Sequence, residues 1–408
     1  MTKQDAINLL TQKDQLQLLS FYDTLTPQQQ ENLLAQIEGI DWSLLDVLKT
    51  HETVNARGTF APLSAMELSQ IDANRAHLEE VGLQAIREGK VAAVLLAGGQ
   101  GTRLGFDKPK GMYNIGVTRE LYIFECLINN VMEIVKKAGA WIPFYIMTSD
   151  KNYDDTTAFL KEKNYFGYNA EYIHFFKQEM APSVDYNGKL LMEAPDRLSL
   201  SPNGNGGWFS SLCRYGYDKQ MKEAGVEWLT AFAVDNVLQR INDPAFVGAV
   251  IDSGCDCGGM VVRKADPNER VGVLCTEDGK PSIAEYYEMT QEMATARKEN
   301  GDLLYGFGVI LNYLFSEKKL EQIADARMPI HVVEKKIPHI DLEGNMVKPE
   351  QPNGYKFETL VLDMVHMMDD CIPYEVVRER EFAPIKNLHG VDSLDTAREL
   401  LKGCGVTL

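Results

Sequence analysis

Apolar residues recur at helical spacing near the start of the chain, at Ile7 and Leu10 and again at Leu16 and Leu19. Thr26-Pro27-Gln28 reads as an N-cap followed by proline in the first turn. Residues 1 to about 50 are therefore predicted as short amphipathic helices. A polar connection around Asn55–Ala65 leads to a further helix over Ser69–Glu88. The pattern then changes. VAAVLLAGG, from Val91 to Gly99, is an unbroken apolar run ending in glycine, as expected of a strand covered on both faces in a parallel sheet. Comparable runs follow at WIPFYIMTS (141–149), YIHFF (172–176), VEWLTAFAVDN (226–236) and MVVR (260–263). Helical stretches at Leu121–Gly139 and Gly207–Ala224 lie between them. Strands alternating with helices over more than half the chain predict an α/β sandwich around a mixed, mainly parallel sheet. From about Pro338 the chain is rich in loops, with NGYKFETLVLDMVHMM predicted as a helix and REREFAPIKN as strand or loop.

This gives three expected regions: a helical region at 1–88, a central α/β domain at 89–337 and a C-terminal segment at 338–408. A chain of 408 residues with 45% hydrophobic content can bury a large core. The net charge of −18 argues against holding nucleic acid, because that binding rests on basic surface. It leaves room for small phosphorylated ligands, which need only a few cations in one pocket. The first residues, MTKQDAINLL, lack the basic and apolar regions of a leader, and no apolar run reaches membrane-spanning length. The seven cysteines are scattered, and Cys255-Asp-Cys257 is one residue too tight for a CxxC arm. A reducing, cytoplasmic setting is expected, with no membrane partner and with the chain either a monomer or a homodimer.

In an open α/β sheet, ligands bind beyond the carboxyl ends of the strands. The residues after the first apolar run are Gly98-Gly99-Gln100-Gly101-Thr102-Arg103, followed by Pro109-Lys110-Gly111. The dinucleotide fingerprint would need a third glycine where Leu104 stands, and the nucleotide-triphosphate loop would need lysine after glycine with a hydroxyl next. Neither is satisfied. Successive glycine amides can still form a nest for phosphate oxygens, with Arg103 as a forked cation and Lys110 as a point charge beside it. Asp235 ends another apolar strand, where one carboxylate could hold a hard cation together with substrate oxygens and water. His174 is read as a packing residue, Cys255 and Cys257 as inert thiols, and the mixed charges at Glu375–Glu381 as a solvated face.

The stretch LxxGGxGTRxGxxxPK, here Leu95 to Lys110, resembles the signature of the sugar-nucleotide pyrophosphorylases. The form AGGQGTRLG…PKGMYNIG is similar specifically to the eukaryotic-type UDP-N-acetylhexosamine pyrophosphorylases. Further blocks resemble that family in the same order, from VNAR at 54–57 through NYFGYNAEYIHFFKQEM, LSPNGNGGWFSSL, FAVDN, DCGGMVVRK and AEYYE to EFAPIKN. The resemblance implies a Rossmann-like nucleotidyltransferase sandwich and a uridylyltransferase that joins UTP to a sugar 1-phosphate and releases pyrophosphate. Arg103, Lys110 and Lys386 would be catalytic. Leu96, Ala97, Gly98, Gly99, Lys110, Gln178, Gly204, Asp235 and Lys356 would bind UTP, with Asp235 as the Mg²⁺ ligand. Asn205, Gly272, Glu285, Tyr286, Val309 and Lys386 would lie at the sugar phosphate.

Three positions depart from the family's pattern. Val309 stands where a sugar-binding asparagine is expected, and Leu360 and Leu362 replace aromatic residues lining the acetamido side. Glucose or galactose 1-phosphate is therefore expected beside, or in place of, the N-acetylhexosamine phosphates. The family's eukaryotic members carry a further carboxy-terminal domain after the lysine block, and no regulation by such a domain is expected here. Two other functions fit the residues less well. A glycosyltransferase consuming UDP-sugars would usually bring an Asp-x-Asp motif, whereas Val234-Asp235-Asn236 has one acid only. A non-catalytic nucleotide-sugar sensor would not need Arg103, Lys110, Asp235 and Lys386 together.

Overall fold

The apolar run Val91–Leu96 is buried at every position and forms a strand at the centre of a ten-stranded mixed sheet. In chain order the sheet strands are β1 (Phe60–Pro62), β2 (Val91–Leu96), β3 (Phe144–Thr148), β4 (Ile173–Lys177), β5 (Trp228–Ala233), β6 (Cys257–Arg263), β7 (Val273–Glu277), β8 (Lys280–Ala284), β9 (Phe307–Ser316) and β10 (Ile372–Glu375). The computed structural model describes residues 1–54, 57–324 and 328–408, with the backbone alone for 50–54, so two positions of the VNAR block lie outside the described residues. The spatial order is β1-β7-β9-β5-β2-β3-β4, with β8 beside β7, and with β6 pairing β9 on one side and β10 on the other. Strands β5, β2, β3 and β4 run parallel, in registers such as Ala233↔Leu96 and Leu96↔Met147. Strand β9 runs antiparallel to both β5 and β6. It went unread in the sequence, where LLYGFGVILNYLF is broken by glycine and carries a register shift. There Val261 faces Val309 while Gly259 faces Tyr313, and Leu311 takes φ +53°.

Helices cover this sheet. Ile123–Ala138 falls within the expected 121–139 and ends on Gly139 in the left-handed conformation, φ +72°. The expected helix over 207–224 is instead two helices, Trp208–Arg214 and Tyr217–Ala224, because Gly216 between them sits at φ +74°. Leu68–Arg87 matches the helix expected from Ser69 to Glu88 and packs on Pro244–Ser253. A methyl group placed on Gly82 would come within 1.9 Å of the Pro244 carbonyl oxygen, and one on Gly248 within 1.9 Å of the Leu78 oxygen. The two backbones touch because neither glycine has a side chain.

The described chain divides into two compact units. One holds the ten-stranded sheet and comprises Gly58–Gln178, Trp208–Arg327 and Leu362–Leu408. The other comprises Met1–Arg57, Glu179–Gly207 and Met328–Val361. These units are discontinuous, so they cut the chain elsewhere than the linear boundaries at 88 and 337. Chain proximity groups the Leu68–Arg87 helix with the N-terminal helices, but its apolar face, Ile71, Leu78, Leu83 and Ile86, joins the core of the sheet unit. The second unit has its own core of Leu10, Leu18, Leu33, Ile37, Val184, Leu198 and Phe357. Its three-stranded sheet pairs His331–Lys335 and Val184–Asp185 with Gly354–Glu358.

Several local expectations are corrected. Thr26 does cap the Pro27–Glu38 helix, with Gln29 completing a capping box. Leu16–Leu19, however, is a single 3₁₀ turn that buries Leu18 and leaves Leu16 48% exposed, so the helical spacing assigned the wrong leucine. The segment from Asn353 to Met368 starts as a strand, Gly354–Glu358, and becomes helical only at Val361–His366. REREFAPIKN begins with a helical turn, Arg378–Glu381. A final helix, Leu394–Gly403, was not expected; it starts from a capping box between Ser393 and Thr396 and buries Leu394, Ala397 and Leu401. Glu375 and Glu381 do not lie on a solvated face. Glu375 is buried and accepts from Arg263 Nε at 2.6 Å, and the Glu381 Oε2 atom is buried with no hydrogen-bond partner among the described residues. His174 is a packing residue, stacked on Tyr145 at 4.9 Å, and burial lowers its pKa. Cys257 is buried against the sulfur of Cys371, and burial pushes its thiol well above the usual range.

Candidate active site

Because β2 and β5 are adjacent and parallel, their carboxyl ends deliver the glycine loop and Asp235 to the same edge of the sheet. Leu96 and Ala97 are buried, and the Ala97 N–H still bonds to Met147 on β3 at 2.9 Å. Beyond it the loop doubles back. The Gly101 N–H donates to the Lys108 carbonyl at 2.9 Å, and the Lys110 N–H donates to the Gly99 carbonyl at 3.2 Å. Pro109 between them has no N–H to lose, and it opens the 3₁₀ turn Lys110–Met112. The N–H groups of Gly98, Gly99 and Gln100 take part in no hydrogen bond among the described residues. A loop with several idle backbone donors is prepared for an anion.

Lys110 Nζ lies 3.9 Å from Asp235 Oδ2, close enough for attraction and too far for a hydrogen bond. Burial lowers the lysine pKa. Asp235 opposes that change, while Arg103 and Lys386 reinforce it through like charge. Asp235, Arg103 and Lys386, the three other charged groups predicted at the triphosphate, therefore lie within electrostatic reach of Lys110. Arg103 is exposed on the turn Thr102–Leu104. Lys386 is half-exposed and donates from Nζ to Asp392 Oδ2 at 2.9 Å.

Two residues that sequence reasoning passed over build this corner. Asn236, buried beside Asp235, donates from Nδ2 to the Glu381 carbonyl at 2.8 Å, and its Oδ1 accepts from the Ala383 N–H at 2.9 Å. The Ile385 N–H reaches the Asp235 carbonyl at 2.9 Å. Together these bonds fasten the strand of chain that ends in Lys386 onto the turn that carries Asp235. Asp392, at φ +52°, accepts the Lys386 N–H on its backbone oxygen as well as the ammonium on its carboxylate. The only sequence signal for Asn236 was its place next to Asp235 at a strand end. Asp392 gave none, because its role depends on a turn.

Gln178 follows β4, is 7% exposed and anchors its N–H on the Thr148 carbonyl at 2.8 Å. A methyl group on Gly98 would come within 2.5 Å of Gln178 Nε2. That glycine leaves space for the amide directly over the loop. The predicted sugar residues also gather. The pairing Val273↔Ala284 sets Gly272 across from Glu285, and the Val309 N–H donates to the Gly272 carbonyl at 2.9 Å. A methyl on Gly272 would meet Val309 Cγ2 at 3.5 Å and the Glu285 carboxyl carbon at 3.6 Å. Tyr286 is 45% exposed and meets Tyr287 edge-on at 5.3 Å.

The remaining predicted residues belong to the other unit. Gly204 sits at φ +89°, where a methyl would strike the Thr359 carbonyl oxygen at 2.1 Å, so only glycine fits. Asn205 Oδ1 accepts from the Val361 N–H at 3.0 Å, and Lys356 lies opposite Val333 on the Gly354–Glu358 strand. Among the described residues no cluster of three or more histidine, cysteine, aspartate or glutamate side chains could hold a metal. None of their helices is long and apolar enough to cross a membrane.

Known proteins resemble this chain in sequence and fold. The chain is 35% identical over 412 residues to UDP-N-acetylhexosamine pyrophosphorylase-like protein 1 of Mus musculus, covering 95% of this chain and 81% of that protein. It is also 35% identical to UDP-N-acetylglucosamine pyrophosphorylase of Saccharomyces cerevisiae, covering 97% and 88%. Among solved structures, the uridine diphosphate N-acetylglucosamine pyrophosphorylase of Trypanosoma brucei in complex with inhibitor superposes with a TM-score of 0.84 at 28% identity, covering 98% of this chain and 84% of that one. Residues 34–395 match the family described as UTP–glucose-1-phosphate uridylyltransferase. The chain belongs to that family, the UDP-sugar pyrophosphorylases, and is a nucleotidyltransferase.

Proposed function

We propose that the protein transfers the uridylyl group of UTP to a hexose 1-phosphate or N-acetylhexosamine 1-phosphate, releasing pyrophosphate. The observation that carries this reading is the juxtaposition of an amide-lined glycine loop with Lys110, Asp235, Arg103 and Lys386 at the carboxyl ends of β2 and β5. A phosphate oxygen of the sugar phosphate attacks the α-phosphorus of UTP in line, and the bond to pyrophosphate breaks. The nucleophile is already ionised near neutral pH, so the protein needs no general base. Its residues position the reactants and neutralise charge. The loop amides and Lys110 hold the triphosphate, Arg103 and Lys386 balance charge at the reacting phosphates, and Gln178 pairs with the uracil edge through its donor and acceptor. Gly204 and Lys356 are assigned to the nucleotide as well, and Asn205 to the sugar phosphate.

Asp235 is a carboxylate at a strand end that belongs to no cluster of three or more acidic, histidine or cysteine ligands among the described residues, which fits Mg²⁺, commonly held by one or two carboxylates plus substrate phosphates and water. Asp235 would be that ligand, and the ion would supply additional positive charge to the triphosphate oxygens. The sugar end is walled by Val309 beside Gly272 and Glu285. An aliphatic wall offers an acetamido group no hydrogen bond, so plain hexose phosphates, glucose and galactose 1-phosphate, should compete well with the N-acetylated ones.

Rates measured with UTP, Mg²⁺ and a panel of glucose, galactose, N-acetylglucosamine and N-acetylgalactosamine 1-phosphates test this. Formation of UDP-sugar and pyrophosphate is expected with at least one of them. UTP binding without turnover on every member, or sugar transfer to an acceptor in its place, overturns the reading. In the same assay Val309→Asn should raise kcat/KM for N-acetylated substrates relative to plain hexoses. An unchanged ratio would remove Val309 from the sugar pocket.

A further inference from the structure

Asn152 is fully buried at the position just before the Tyr153–Glu162 helix. An asparagine there usually turns its side-chain oxygen onto the first N–H groups of its own helix. This one makes no such bond. Its Nδ2 donates instead to the Gly98 carbonyl at 2.9 Å and to the Gly99 carbonyl at 3.1 Å, and its Oδ1 accepts from the side-chain amide of Gln100. Both N–H groups of the side-chain amide and one acceptor site of its oxygen are given to the glycine loop, and the helix it precedes has no side-chain cap.

The consequence follows from peptide geometry. A trans peptide unit is planar, so its C=O and the N–H that follows point in opposite directions. Drawing the Gly98 and Gly99 carbonyls toward Asn152 turns the N–H groups of Gly99 and Gln100 away from it. Those N–H groups bond to nothing among the described residues. Glycines left to themselves would sample many loop conformations, including left-handed ones. Holding two consecutive carbonyls from one amide selects one of these conformations and leaves the two N–H groups on the side of the loop away from Asn152, unbonded and able to donate to an anion.

We propose that Asn152 is a positioning residue for the triphosphate, setting the glycine loop so that its amides face the phosphates of UTP. This rests on the uridylyltransferase reading and extends it to a residue 42 positions downstream of Lys110 that touches no phosphate itself. Its contribution is to order the loop before UTP arrives, which lowers the cost of binding.

Asn152→Ser tests the assignment without sacrificing the fold. A serine is accommodated in the turn before the helix, where residue 152 has φ −103° and ψ −15°, and is too short to hold both carbonyls. The expected result is a folded variant with a modestly lowered Tm, a KM for UTP increased about tenfold, as for the loss of a buried hydrogen-bonded contact, and an unchanged KM for the sugar 1-phosphate. Binding measured directly should show the same increase in Kd for UTP and none for uridine, which lacks phosphates. Equal weakening of UTP and uridine, or wild-type affinity for UTP, overturns the proposal. If the serine variant does not fold, the larger Asn152→Thr, which like serine keeps a single hydroxyl donor, gives the same comparison. Failure of the wild-type protein to turn over any sugar 1-phosphate would instead remove the uridylyltransferase reading, and the UTP and uridine binding would still decide the role of Asn152.

Discussion

At the scale of single residues, the proposed site sets one cation, Lys110, where water is scarce, beside the more exposed Arg103 and Lys386. Lys110 is the most buried of its cations, and its lowered pKa reports desolvation that Asp235 only partly offsets. A charge in such surroundings interacts strongly with a developing phosphate charge, so Lys110→Ala should lower kcat on the order of 10²-fold or more at saturating UTP. Steady-state kinetics checks this, and a fall of less than about fivefold would contradict the electrostatic role. Gly98 gives a different kind of test. Gly98→Ala would drive its methyl into Gln178 Nε2, so selectivity for UTP over CTP should fall about tenfold as the amide is displaced from the base. Unchanged selectivity would mean that Gln178 does not read the base. Much of this set was legible in the sequence, because glycines, Arg103 and Lys110 crowd one short stretch and Asp235 ends an apolar run. Asn152, Asn236 and Asp392 were not. Each acts through hydrogen bonds to partners that only folding brings near, and an isolated asparagine or aspartate has no distinguishing spacing.

Among elements, the apolar runs identified strands reliably where both faces are buried, as in β2 and β3. They failed where glycine and a register shift break the pattern, as in β9, and where one helical stretch is divided by Gly216. Helix packing supplies the sharpest element-scale prediction. The Leu68–Arg87 and Pro244–Ser253 helices meet at Gly82 and Gly248, where an added methyl would overlap opposing backbone that cannot move as a side chain can. Alanine normally favours a helix over glycine, yet Gly82→Ala should destabilise the protein by about 1–3 kcal/mol, because overpacking outweighs propensity. Urea unfolding would measure the change. A stabilised variant would show that the helices do not approach so closely.

For the whole molecule, stability is linked to pH through two buried carboxyl groups. Burial pushes Glu317 up to about 7, with Glu321 adding like charge, and pushes Glu381 up to about 8, with Asp243 adding like charge. Unfolding returns both to the ordinary value of 4.5. Between those limits the folded state holds protons that the unfolded chain has lost. The associated stability is therefore complete below about pH 4.5 and declines as pH rises through 7 and 8. Thermal melts of Glu381→Gln should show a smaller drop in Tm from pH 5.5 to pH 8.5 than wild type, by at least about 2 °C. Equal slopes would show that Glu381 is not neutral in the folded protein. The sequence by itself determined the α/β class and the glycine loop with the cations proposed to hold UTP, because strand burial and clustered glycines and cations leave local, contiguous signatures. Tertiary structure alone decided that the units are discontinuous, that a glutamate in an apparently solvated run is buried, and that Asn152 fixes the loop. Those outcomes depend on which surfaces meet across long stretches of chain, and a linear pattern of polar and apolar residues does not encode the partner of each surface.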